Sequence, residues 1–229
     1  MNRSVRKAVR LLVPAPVCAV LLAAAISCGD RGGFTKAERA ILDVPDSVLY
    51  VENVANAADS LILRTPCVDL SDKALRSDEF RKLAAKMLAT VRAPEQDGVG
   101  IAAPQVGLSR RVICVQRLDR PGEPFVVYPN VRIDTAYGDR VRGPEGCLSV
   151  PPYRGYVTRW TDVVVSWKDA ETLAVQRDTV HGYTAVIFQH ECDHLDGILY
   201  TDRADTVFYN ERWAAERARF DSLGCYRRR

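Results

Sequence analysis

Histidine is scarce in this chain, with three residues among 229, and methionine is scarcer still with two. Net charge is equally low: Lys+Arg 32 against Asp+Glu 29 leaves +3, too little to draw a nucleic-acid partner by charge. No stretch reads as the repeated spans of a polytopic membrane protein, and no period of roughly 20–50 residues marks a repeat array. What is present is globular: 47% hydrophobic and 27% charged residues exclude a disordered chain. The length suits one domain, or one domain with an appendage. Two of the three histidines fall within 190–194. In so poor a background, that pairing asks for a chemical reason.

The first residues read as an address. Arg3, Arg6, Lys7 and Arg10 precede an uncharged run over 11–26 that is short for a membrane span and broken by Pro14 and Pro16. It ends in Ala25-Ile26-Ser27-Cys28, similar to a bacterial lipoprotein box in which Cys28 receives the lipid, although Ala25 stands where Leu is usual. An ordinary signal peptide and a start codon assigned too early are the other readings. Removing residues 1–27 takes away four basic and no acidic side chains, turning +3 into −1. Membrane attachment would then rest on the lipid and not on surface charge. Residues 28–55 are expected to form a loosely ordered lead-in, 56–215 the catalytic domain and 216–229 a solvated tail.

Within the domain, Phe80, Leu83, Ala84, Met87, Leu88 and Val91 have helical spacing, with Asp78 and Glu79 where the helix dipole favours acids. Short β-branched and aromatic runs follow at 111–116, 125–128, 131–134, 156–158, 163–167 and 173–179, with Tyr137-Gly138 among the turn signals. A second helix is expected over about 182–194, stopped by Gly197, and a C-terminal helix over about 204–223. Helix, strands, helix is an α+β order: small mixed or antiparallel sheets around a central helix, with helices at both ends.

Three segments carry chemistry. In His190-Glu191-Cys192-Asp193-His194, the histidines lie one helical turn apart on one face, as two imidazoles gripping one metal ion require. Glu191 sits where a base acting on water would. Tyr183, Val186, Ile187, His190 and His194 share a stripe, so the ligands are expected on the buried face. His181, nine residues before His190, faces the opposite way on an ideal helix. A third ligand must then be Cys, Asp or Glu. Glu145-Gly146-Cys147-Leu148-Ser149 offers Cys147 at the edge of a strand, or simply a structural cysteine. Gly98-Val99-Gly100-Ile101-Ala102-Ala103-Pro104-Gln105 offers close backbone approach and an amide donor; no Gly-Lys-Ser/Thr makes it a nucleotide loop.

In register, these three motifs, with Leu63-Arg64-x-Pro66 before them, resemble the peptide deformylase family over about residues 60–209. The resemblance implies Cys147, His190 and His194 as ligands of one divalent ion, commonly Fe²⁺ with Zn²⁺ or Ni²⁺ as substitutes, the remaining position being open to water. It implies Glu191 as proton carrier, and the Gln105 side chain with the Leu148 backbone N–H as oxyanion donors, each worth about 3 kcal/mol in comparable hydrolases. Val99, Gly100, Tyr183, Val186 and Ile187 would receive the methionine side chain. Arg154 would hold peptide backbone, or be a surface cation. Arg159 would pair with Asp193 behind the ligands, or each would be plain surface or helix polarity.

The implied substrates are formyl-methionyl peptides or nascent chains at the ribosome, acted on by a monomer. That task belongs in the cytosol and conflicts with an export signal: outside, Cys147 risks oxidation. With Cys28 lipidated and Cys147 on metal, Cys67, Cys114, Cys192 and Cys225 could pair, though nothing in their spacing shows it. A zinc endopeptidase is a rival reading, with Asp196, Asp202 or Asp205 as its third ligand. A non-catalytic surface lipoprotein is the other.

Overall fold

The structure is a computed structural model and describes residues 32–96 and 98–215. The expected signal segment, the Cys28 lipidation site, Cys225 and the tail 216–229 lie outside the described residues.

Residues 32–55 of the lead-in are folded, contrary to the loosely ordered segment expected there. Helix α1 (Lys36–Leu42) starts at a capping box in which Thr35 and Glu38 satisfy each other's backbone N–H groups. Phe34, Leu42 and Leu49 are buried in the same core cluster as the next long helix, each burial worth about 1.5–3 kcal/mol. The Glu38 carboxylate takes two hydrogen bonds from the buried Arg110, at 2.6 and 2.7 Å. Hydrophobic residues at Phe34, Leu42 and Leu49, spread among polar ones, gave no local periodicity by which to recognise this.

Helix α2 (Ala57–Leu63) is capped by Asn56, and α3 (Asp72–Leu75) by Ser71. Helix α4 (Asp78–Val91) is capped by Ser77 and buries Phe80, Leu83, Met87 and Val91, the face that its sequence predicts. The antiparallel sheet β1 (Gly100–Ala102), β2 (Val112–Gln116) and β3 (Phe125–Pro129) carries α4 on its core.

A second antiparallel sheet is built from β4 (Arg132–Gly146), β5 (Tyr153–Lys168) and β6 (Val175–His181). Two expected short strands are one long β5, and the expected turn at Tyr137-Gly138 is a bulge inside β4, where the register slips between Tyr137 and Arg140 and Gly138 takes φ +80. Helix α5 (Gly182–Leu195) lies between the sheets: Ile113 and Val115 of β2, Val163 and Val165 of β5, and Val180 of β6 pack with its Ala185, Ile187 and Phe188. It is buried on nearly every side, so it has no single apolar stripe. Tyr183 is 58% exposed.

After α6 (Tyr200–Arg203) the structure departs from expectation again. Thr206–Tyr209 is not helix but strand β7, antiparallel to Tyr153–Tyr156 of β5. A Thr-Val-Phe-Tyr run suits a pleated edge, and the open edge of β5 supplies the partner that helix propensity could not anticipate.

Candidate active site

The long β4–β5 pairing brings the end of β4 against α5. Cys147 follows directly on β4 and is held in a turn closed by Val150 N–H donating to its carbonyl at 3.0 Å. Its Sγ lies 3.1 Å from His194 Nε2. The ligating atoms of Cys147, His190 and His194 all fall within 4.8 Å of one another. One thiol and two imidazoles at this spacing fit a divalent transition metal ion. The neighbours support that fit. Glu145 accepts from His190 Nδ1 at 2.8 Å, fixing that ring with Nε2 turned to the cluster. Beside it, the buried Glu191 Oε2 has no protein partner, an orphan that a cation or its water would satisfy.

A row of alternating charge backs the cluster. Arg159 donates to both oxygens of Glu145, at 2.7 and 3.0 Å, and to Asp193 at 2.6 Å. Arg203 donates to the same Asp193, at 2.6 and 2.7 Å. Burial alone would raise the Glu145 carboxyl, but His190 and Arg159 outweigh it and hold it at about 2. At Glu191 burial, with Glu145 nearby, outweighs the pull of His190 and Arg159 and pushes the carboxyl up to about 7. A carboxyl there is poised to take and return a proton near neutrality, and a nearby dication would favour its ionised form. Burial keeps the His194 ring neutral, the form that binds metal, whereas at His190 burial is outweighed by Cys147 and Glu145, which push it up, so a cation bound there would displace its proton.

Gln105 sits on a 3-10 turn over Ala103–Val106. Its Oε1 accepts from Ala102 N–H at 2.8 Å, which turns Nε2 toward Ser149 Oγ at 3.2 Å and Cys147 Sγ at 3.5 Å. Gly100 is a close approach: a Cβ there would lie 2.5 Å from Glu191 Oε1 and 2.8 Å from Ile187 Cγ2. A cavity of about 680 Å³ opens on these groups. Val99, Gly100, Gln105, Leu148, Arg154, Tyr183, Val186 and Ile187 all line it, together with Cys147, His190 and Glu191. Asp193 and Arg159 lie behind the ligands and not in the cavity.

His181 is remote from this cluster, exposed and paired with Asp162. The acids of the endopeptidase reading are engaged elsewhere: Asp196 with Arg111, Asp202 with Arg64 and Asp205 with Arg142. Among the described residues, the one group placed to hold an ion is Cys147, His190 and His194.

Residues 51–208 match the family model described as polypeptide deformylase. This chain belongs to the peptide deformylase family. A peptide deformylase of Leptospira biflexa is 40% identical over 160 residues, covering 66% of this chain and 88% of that protein. One from Symbiobacterium thermophilum is 48% identical over 128 residues, 56% of this chain and 57% of the relative. Among solved structures, the actinonin-bound class I type b peptide deformylase from Acinetobacter baumannii is 37% identical, with a TM-score of 0.60 over 69% of this chain and 99% of that one. The same enzyme bound to Met-Ala-Ser is 38% identical, with a TM-score of 0.60 over 68% and 98%.

Several residues of this deformylase site were not singled out by sequence reasoning. Glu145 lies within a sequence motif, but its hold on His190 depends on strand pairing that no spacing reveals. Ser149 and Arg203 act through side-chain contacts across the fold. Asn210, Arg212 and Trp213 line the cavity from a stretch expected to be the middle of a helix. Cys67, Cys114 and Cys192 are buried free thiols, each pushed up to about 12 by burial, which makes them poor nucleophiles.

Proposed function

We propose that this deformylase hydrolyses the formyl amide of formyl-methionyl peptides, giving formate and a free amino terminus, with Cys147, His190 and His194 holding one divalent ion, Fe²⁺ in the native enzyme and Zn²⁺ or Ni²⁺ as substitutes. An ion bound there supplies Lewis acidity and lowers the pKa of water beside it. The rest is done by the chain. Glu191 takes the proton from the water whose oxygen adds to the formyl carbon, then gives a proton to the nitrogen as the carbon–nitrogen bond breaks. Gln105 Nε2, already aimed at Cys147, and the Leu148 backbone N–H meet the charge that develops on the formyl oxygen. Val99, Gly100, Val186 and Ile187 receive the methionine side chain, with Tyr183 at the mouth. Arg154 holds the peptide backbone. Arg159 and Asp193 orient His190 through Glu145.

The observation that carries this reading is the convergence of one thiol and two imidazoles beside a buried carboxyl with an unpartnered oxygen. The Acinetobacter baumannii enzyme with Met-Ala-Ser bound supports a peptide substrate. The test is formate release from formyl-Met-Ala-Ser with metal analysis of anaerobically purified protein. Glu191→Gln should retain the metal and lose turnover, whereas Cys147→Ser should lose both. Turnover by Glu191→Gln at the wild-type rate would refute the assignment.

The basic and apolar leader ending at Cys28 supports a membrane-anchored enzyme, here read as a monomer, acting on formyl-peptides outside the cytosol. A start downstream of that leader would leave a cytoplasmic enzyme acting on nascent chains at the ribosome. Fractionation after labelling with palmitate separates the two: label in the membrane fraction that Cys28→Ala abolishes supports the anchored form.

A further inference from the structure

The chain runs on beyond the matched residues and stays at the site. β7 keeps Phe208 opposite Arg154. Asn210 N–H then donates to Pro152 O at 3.0 Å, and Asn210 Oδ1 accepts from Trp213 N–H at 3.2 Å, capping a helical start over 211–215. This turn carries Trp213 back onto the end of β4. A Cβ on Gly146 would lie 3.2 Å from the Trp213 ring and 3.0 Å from Arg154 Nε, so the residue beside Cys147 is bare where two large side chains press on it. Both side chains line the catalytic cavity. Trp213 is half-buried, yet among the described residues it belongs to none of the three apolar clusters. Its ring faces a cleft and is not core packing.

At about 680 Å³ the cavity has room for a ligand larger than one amino acid. Glu191 and Gln105 fix where the formyl group reacts, and Val99, Val186 and Ile187 take the methionine side chain. The residues after the methionine must therefore pass other walls, and on the Gly146 side those walls are Arg154 and Trp213. We infer that Trp213 is a specificity-determining residue that contacts the peptide beyond its formyl-methionine, favouring an aromatic side chain at the third position. An indole offers a flat, rigid face for ring stacking at small entropic cost. The inference rests on the deformylase reading and adds a subsite supplied from outside the matched residues.

The test compares formyl-Met-Ala-Phe with formyl-Met-Ala-Ser in kcat and KM, and the products Met-Ala-Phe and Met-Ala-Ser in calorimetric binding. Wild type should prefer phenylalanine about three- to tenfold, expressed in KM and in product affinity. Trp213→Ala should bring that ratio close to one, and Trp213→Phe should keep most of it; melting curves confirm that both variants are folded. A wild type without preference, or a Trp213→Ala variant that retains it, overturns the inference while formate release leaves the deformylase reading standing. No formate from either peptide with wild type removes both.

Discussion

Glu145→Gln is the most informative single change behind the ligands. Glu145 Oε2 accepts from Arg159 at 3.0 Å and from His190 Nδ1 at 2.8 Å, while Oε1 accepts from Arg159 Nε at 2.7 Å. A glutamine keeps the shape but must put its NH₂ at one of these places, facing a donor. The less costly choice sacrifices the Arg159 Nε contact and keeps a neutral acceptor on His190. Arg159 still has Asp193, so it is not left alone. One charged hydrogen bond is then lost, about 1.5–3 kcal/mol, and for a chain of this size that lowers Tm by roughly 3–12 °C. His190 loses a charged partner, for which metal affinity should fall about tenfold, and up to about 100-fold in Glu145→Ala. Competition of the zinc-loaded protein against a chelator measures affinity, and melting of the metal-free protein measures stability separately. Wild-type zinc affinity in Glu145→Gln would refute the claim that Glu145 holds His190 for the metal.

Gly100→Ala should drive Glu191 from its place, since the added carbon would stand 2.5 Å from Oε1; turnover should drop about 100-fold with metal content retained, checked by formate assay and metal analysis together. Gln105→Ala removes a donor aimed at the cluster and should lower kcat about 10²–10³-fold with KM little changed. The Glu38–Arg110 pair gives the pH prediction. Burial would raise the Glu38 carboxyl, but Arg110 and Thr35 hold it below the ordinary 4.5, so its stabilisation is full above 4.5 and is lost as pH falls through the folded value. Glu38→Gln should accordingly cost about 3 kcal/mol in denaturant unfolding at neutral pH, and the gap from wild type should narrow in acid. A gap that stays constant with pH would rule out this linkage.

The two long helices were legible because their information is local: α4 and α5 show it in spacing and caps, and an i, i+4 histidine pair can face one ion on any helix. Cys147 was reachable only through motif resemblance, because the β4–β5 register that brings it to α5 is a long-range property. The elements misread share a cause. Tyr137-Gly138 has the composition of a turn whether it ends a strand or bulges one. Thr206–Tyr209 becomes a strand because the edge of β5 is free beside it. Residues 34–54 fold because Phe34, Leu42 and Leu49 pack into the core of α4 and Glu38 pairs with the buried Arg110, partners far along the chain. In each case the deciding partner is distant, and no window of sequence contains it.

The row Arg203, Asp193, Arg159, Glu145, His190 runs from a guanidinium that is 45% exposed to an imidazole that is 11% exposed. Arg203 is the one exposed member, while Asp193, Arg159, Glu145 and His190 are all buried, so dissolved salt reaches the Arg203 link most readily. A brine that loosens Arg203 leaves Arg159 still clasped between two shielded carboxylates. The contact through which Glu145 orients the His190 ring is thus insulated from the ionic composition of whichever compartment the enzyme occupies.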